Sequence, residues 1–347
     1  MGLRPLNEFM ARVAAVVSNA CAPDPRVQRH ARWLAQEGHD VVIHAFDREQ
    51  VHQAVEEIDG YTIKRYHIGT YSYGGGFSTL RGKRKFIRSL KIKADFVICN
   101  DADTLLLKFE GKRIFDMHDL AHTWPLMQRR GPLRVLASKW MKTRMLVRAK
   151  KCDAVITSSP GFQNWLANHD IESTVVTNRR APIECPSQEK LVVGYVGRIR
   201  EIEPLLHLQL AMKGIDGSII IAGDGTCAAA IKALIPEATH LGAFTEEELG
   251  GIIQKISVMY AMYDPERGNI MEGALPVKMF DAAAYSRPSI VNANCPMGQL
   301  CEEESLGKAV QYGDIEAIRE SILKLHGQIV TTTPTNERSK LISIFTS

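Results

Sequence analysis

The sequence predicts an α/β chain built as two Rossmann-like domains in tandem. Three observations carry that reading. The 347 residues exceed one ordinary hydrophobic core. Near the start, the apolar run Val13–Val17, the turn-rich stretch Ser18–Pro25, a helical spacing of Val27, Ala31, Leu34 and Ala35, the stop Gly38-His39 and a second apolar run Val41–Phe46 make one β-α-β unit. Such units build parallel sheets. Beyond Pro182, Pro186 and the charged Glu184–Lys190 segment, a second alternating series begins. The predicted boundaries are residues 1–182 for the first domain, 188–328 for the second, and 329–347 for a tail whose helix crosses back to the first.

Taken in order, Tyr61–Tyr66 reads as a third strand and 71–77, with Gly74-Gly75-Gly76, as a flexible loop. Arg81–Lys93 carries seven cations on a predicted helix. Phe96–Cys99 is a strand ending at Asn100-Asp101-Ala102-Asp103, with Asp103 suited to cap the next helix. Arg113–Phe115 leads into Asp116-Met117-His118-Asp119. A long basic helix covers Leu133–Lys150. Ala154–Thr157 is a strand, Ser158-Ser159-Pro160 caps a helix, and Thr174–Val176 closes the first domain. In the second domain, strands at 191–196, 218–222, 256–262, 289–291 and 308–311 alternate with helices at 202–212, 226–234, 245–254, 276–285, 297–304 and 315–326. Asn336–Phe345 forms the last helix.

Bulk properties narrow the class. No apolar run reaches the roughly 18–20 residues of a membrane span. MGLRPLNEFMAR lacks an apolar signal-peptide core, which predicts a cytoplasmic protein. Seven scattered cysteines without a C-x-x-C read as reduced thiols. Residues 1–180 hold 29 Lys and Arg against 18 Asp and Glu, and residues 181–347 hold 14 against 21. The basic half suits an anionic surface.

The most informative stretch is Ile256–Val291, which reads as strand, loop, helix and strand. A loop of this kind sits at the carboxyl end of a parallel strand, where open α/β sheets bind ligands. Pro276 opens the helix, with Val277, Phe280 and Ala284 on one apolar face. The helix N-terminus suits a phosphate, and Lys278 adds a mobile cation. Asp281, one turn on, could accept from a ribose diol or be an ordinary surface carboxylate. A diphosphate followed by a ribose is one end of a nucleotide-sugar.

Four motifs now resemble glycosyltransferase family 4, the retaining transferases of the GT-B fold. They are Asp24-Pro25-Arg26-Val27 through Gly38-His39-Asp40-Val41, similar to the opening β-α-β in the D-x-R-V subset; Asp116-x-His118-Asp119, similar to D-x-H-E; Gly194-Tyr195-Val196-Gly197-Arg198 with Ala222-Gly223-Asp224-Gly225, similar to G-x-x-G-R and A-G-x-G; and Leu275–Asp281 through Arg287-Pro288, similar to L-P-N-K-x-F-E ending in G-x-P. The resemblance implies two domains facing across a cleft and transfer of a sugar, with retained configuration, from a UDP- or GDP-linked donor to a glycan or lipid-linked acceptor. It implies a hexosyltransferase-type enzyme that needs no metal or other cofactor. His118, Arg198 and Lys278 inherit catalytic roles. Asp281, Glu272, Gly273, Ala274, Leu275 and Gly242 fall on the donor side, and Arg26, Asp101 and Asp119 on the acceptor side.

The chain departs from the family pattern in several places. Glu203 stands where the family has a lysine five residues after the arginine. The first glutamate of E-x7-E falls at Gly273, with Glu272 one residue off. Asp281 and Asp119 replace glutamates, and the first loop has no glycine-rich turn. These departures keep open a catalytically silent nucleotide-sugar-binding subunit; a nucleotide-sugar epimerase would need more cleft carboxylates and histidines. Asp101-Ala102-Asp103 mimics a D-x-D metal clamp, but a tandem two-domain chain needs none. No H-x-x-x-H lies on a predicted helix, so zinc is not expected. Arg81–Lys93 and Arg129–Lys151 lack the aromatic interleaving of nucleic-acid platforms. They read either as solvated faces or as a patch resting on the inner face of a membrane, where Trp124, Trp140, Met141 and Met145 lie among the cations.

Overall fold

The computed structural model describes residues 10–71, 77–126 and 131–346. The predicted loop at Gly74–Gly76 and the first two cations of the 129–151 stretch lie outside these residues. The chain divides into two compact units, Met1–Thr177 with Asn336–Ser347, and Asn178–Thr335. The division falls at 177/178 and 335/336, a few residues from the predicted linker and tail.

The first unit runs β1 (Arg12–Val17), α1 (Pro25–Gln36), β2 (Asp40–Ala45), β3 (Val55–Ile58), β4 (Tyr61–Arg65), α2 (Phe77–Ser89), β5 (Lys93–Asn100), β6 (Glu110–Met117), α3 (Pro132–Ala149), β7 (Ala154–Thr157), α4 (Pro160–Ala167) and β8 (Thr174–Val175). Its sheet order is β3-β4-β2-β1-β5-β6-β7-β8, parallel except for β3 against β4. The central strands are apolar along their length because helices cover both faces. Val13, Ala15, Val17, Ile43, Ile63 and Ile98 share one core with Leu34 of α1.

The second unit runs β9 (Val192–Val196), α5 (Glu203–Met212), β10 (Ser218–Ala222), α6 (Ala228–Leu234), β11 (Thr239–Gly242), α7 (Glu246–Ile253), β12 (Val258–Ala261), α8 (Gly268–Met271), α9 (Val277–Ala284), β13 (Ser289–Asn292), α10 (Pro296–Glu303), β14 (Gly307–Val310) and α11 (Ile315–Leu325). Its six parallel strands are ordered β11-β10-β9-β12-β13-β14. The last helix, α12 (Glu337–Ser343), returns to the first unit: Leu341 and Phe345 enter the core beneath α1, and Glu337 accepts a hydrogen bond from the Thr177 amide at 2.5 Å.

Both sheets reverse their winding once. The reversal lies between β1 and β5 in the first unit and between β9 and β12 in the second. Crevices outside the carboxyl ends at such switch points are where ligands bind in doubly wound folds. All seven cysteines are free thiols. Among the described residues, no helix is long and apolar enough to cross a membrane.

Candidate functional site

In the second unit, β9 ends at Gly197-Arg198. The Gly197 amide donates to the Ala222 carbonyl at 2.9 Å, the Ile199 amide to the Asp224 carbonyl at 2.9 Å, and the Gly223 amide to the Gly242 carbonyl at 2.6 Å. Gly223 and Gly225 have φ of +136° and +156°, and a Cβ on either would run into the carbonyl of Gly197 or Ile199. The two glycine motifs are therefore halves of one packed loop pair. That pair holds Arg198 exposed at the switch point, with no side-chain partner among the described residues.

Lys278 approaches the same loop from α9. It is only 8% exposed, so it is not the mobile cation expected from sequence. Its Nζ lies 3.3 Å from the ring centroid of Tyr195 and 5.3 Å from that of Tyr263, and it has no hydrogen-bond acceptor. A Cβ at Gly197 would meet this Nζ at 3.9 Å. Burial, with the Arg267 guanidinium nearby, pushes the Lys278 pKa well below its usual value, and Glu201 opposes this only in part. The Glu201 carboxylate instead pairs with Arg267 at 3.2 Å and accepts from the Asp264 amide at 3.1 Å. A buried amine without an acceptor is costly unless an anion joins it.

The other donor-side expectations fare differently. Asp281 is buried and ion-paired with Arg180, whose second nitrogen meets Glu246 at 2.5 Å. Its carboxylate is thus engaged rather than presented to a diol. Glu272 is exposed at the end of α8. The Gly273 and Ala274 amides donate to the carbonyls of Ile270 and Asn269, at 3.4 and 2.9 Å, which turns them into α8 rather than outward. Leu275 is half-buried, and Gly242 is exposed at the end of β11 beside open space. Glu203 opens α5 and accepts from the Tyr312 hydroxyl at 3.2 Å.

In the first unit, the switch point gathers a charge cluster around Asp116, which is fully buried at the end of β6. Arg26 clamps it through two nitrogens, at 2.7 and 3.1 Å, and donates to the Val176 carbonyl at 2.5 Å. His30 and His118 each reach it at 3.2 Å. His118 Nδ1 faces Asp101, 3.9 Å away. Burial pulls the His118 pKa down, but the carboxylates of Asp116 and Asp101 outweigh it and raise it to about 9. Burial lifts the Asp101 carboxyl to about 7, against the pull of His118. His30 is pushed down to about 3 by burial and by Arg26. The cluster thus favours the charged form of His118 and disfavours ionisation of Asp101.

Asp101 sits in the left-handed region, φ +65°, and its Oδ1 is buried without a partner. Asp119 accepts from the Leu120 amide at 2.7 Å and from the Trp124 indole at 2.9 Å. Arg26 is a structural brace, buried against Asp116. Asp103 makes no side-chain cap; it pairs with Lys83 and accepts from Ser18 at 2.7 Å. No cluster of His, Cys, Asp or Glu among the described residues has the makings of a metal site. Sequence reasoning gave no role to Asp116, His30, Tyr195, Tyr263 or Arg180. Asp116 and Tyr195 lay inside the quoted motifs without a role, and Asp116 also closes the apolar run Ile114-Phe115.

Residues 26–178 match the profile of Glycosyltransferase Family 4. The whole chain is similar in structure to a sucrose-phosphate synthase from Thermosynechococcus elongatus, with a TM-score of 0.74 at 14% identity over 96% of this chain and 94% of that one. It is also similar to Anabaena HepE solved with UDP and glucose, with a TM-score of 0.65 at 12% identity over 97% and 96% of the two chains. A lipopolysaccharide outer core galactosyltransferase matches with a TM-score of 0.58 at 15% identity, over 96% and 95%. No curated protein matches the chain in sequence. These likenesses give the chain the two-domain GT-B fold.

Proposed function

We propose that this chain is a retaining glycosyltransferase of family 4 that moves a hexosyl group from a UDP- or GDP-linked donor to a glycan or lipid-linked acceptor, without a metal. The second unit takes the donor and the first the acceptor. The observation that carries the reading is Lys278, buried and without an acceptor against the Gly197-Arg198 loop at the switch point. A diphosphate there would receive two parallel hydrogen bonds from Arg198 and would draw a proton onto Lys278. Both cations then stabilise the charge that develops on the leaving phosphate. In the first unit His118, charged at neutral pH, serves as a donor rather than a base, and Asp101 orients the acceptor hydroxyl. The leaving phosphate takes the acceptor proton. HepE, solved with UDP and glucose, and the galactosyltransferase support the donor class by likeness of fold.

Hydrolysis of UDP- and GDP-sugars by the purified chain tests the reading. Turnover that Arg198→Ala lowers by 10²-fold or so, the effect of removing one charged donor, supports it. A second reading, a silent donor-binding subunit, is favoured by Glu203 and by the engaged Asp281. Tight nucleotide binding without turnover would select that reading.

A further inference from the structure

The long helix α3 is built the wrong way round for a helix that only packs on its own unit. Of its eighteen residues just Ser138, Met145 and Ala149 are buried. Leu133 is 82% exposed, Leu136 65%, Trp140 54% and Val147 52%. With about 100° between successive residues, these four fall within about 60° of one another, on the side opposite the buried three. The exposed face is therefore an apolar stripe. Arg144 and Arg148 border it on one side and Lys139 on the other, while Lys150, past the end of the helix, pairs with Asp170 at 3.3 Å. From Leu120 to Cys152 the sequence holds no acidic residue. Arg144 also stacks over the Trp140 ring, 4.7 Å from its centroid.

We infer that α3 seats this protein on an anionic lipid bilayer, with Leu133, Leu136, Trp140 and Val147 in the headgroup–acyl boundary and the flanking cations on lipid phosphates. An apolar stripe between rows of cations is the pattern of helices that lie in a membrane interface. A second copy of the chain is the poorer occupant, because self-pairing would bring two cationic faces together, each with a carboxylate only at its end, at Asp170. The basic helix α2 does not share the role. Its Phe86 is buried, Lys83 is paired with Asp103, and Lys85 donates to the Ile68 carbonyl at 3.0 Å. Met145, grouped with the patch on sequence, points into the unit, and Trp124 is bonded to Asp119. The inference rests on α3 alone and does not require sugar transfer.

Co-sedimentation of the full chain with vesicles tests it, using phosphatidylcholine alone or mixed with phosphatidylglycerol. The chain pellets with the mixed vesicles only. Leu136→Glu/Trp140→Glu abolishes pelleting, and Lys139→Gln/Arg144→Gln lowers partitioning roughly 30-fold at about 1 kcal/mol per cation. Both variants change exposed residues, and unchanged circular dichroism and melting confirm their folding. Absence of pelleting with anionic vesicles overturns the inference. So does pelleting that survives Leu136→Glu/Trp140→Glu, or a dimer in analytical ultracentrifugation that the same variant dissociates.

Discussion

Lys278 is the residue on which the proposed donor site turns. Its amine is held away from water between Tyr195 and Tyr263, and burial favours the neutral form. On the proposed reading, nucleoside diphosphate binding should take up a proton. Affinity rises as pH falls, and calorimetric heats depend on the ionisation enthalpy of the buffer. Lys278→Met removes that dependence and weakens binding roughly ten- to hundredfold. Buffer-independent heats in the parent chain would show that the amine is already charged. His118 titrates the opposite way. Its pKa is raised from 6.5 to about 9, so its contribution to stability is complete below pH 6.5 and lost as pH rises through 9. Thermal melts between pH 6 and 10 should lose roughly 3 kcal/mol over that window, and His118→Gln should flatten the curve. An unchanged slope in the variant would assign the loss to another group. The His118 environment was legible only through its turn motif, because Asp116, Arg26 and His30 are far apart in sequence and meet through the sheet.

At the scale of elements, the loops after β9 and β10 act as one piece. Gly223→Ala places a Cβ against the Gly197 carbonyl in a left-handed conformation. It should cost about 3 kcal/mol or more and weaken nucleotide binding with it, read as a lowered melting temperature and a reduced thermal shift with UDP. Normal melting would mean that the loops move apart freely. These motifs were readable because glycine is the one residue that fits such close approach. Other elements hid for physical reasons. β3 is Val55-Glu56-Glu57-Ile58, an edge strand without a clear apolar face; its sign was the turn Asp59-Gly60, both residues at positive φ. The periodicity of α9 misled in part. All its residues but Val277 are buried, so the helix has no single apolar face, and the residue expected inward is the exposed one. β11 has only Leu241 as a large apolar residue, which left Gly242 without a strand to place it.

At the scale of the whole molecule, the two-unit architecture and the return of the last helix were legible from the alternation of apolar runs and from the tail that follows Thr335. The boundaries were read a few residues off because the polar linker continues as ordered chain bonded to the second unit, as in Ile183 donating to the Ala284 carbonyl at 2.7 Å. Leu341 and Phe345 make α12 part of the first unit's core. A chain ending at Thr335 should lose about 4–6 kcal/mol from that unit, at 2–3 kcal/mol per buried apolar side chain. Calorimetry would record this as an earlier transition for the first unit with the second unchanged. A shift of both transitions together would mean that the units unfold as one. The account stands or falls on where a diphosphate binds, and a crystal structure of the chain with UDP or GDP decides that most directly. The account predicts phosphate oxygens within about 3 Å of the Arg198 guanidinium and of Lys278 Nζ, by hydrogen-bond geometry. A nucleotide bound elsewhere, with Lys278 still closed between its two tyrosines, would contradict it.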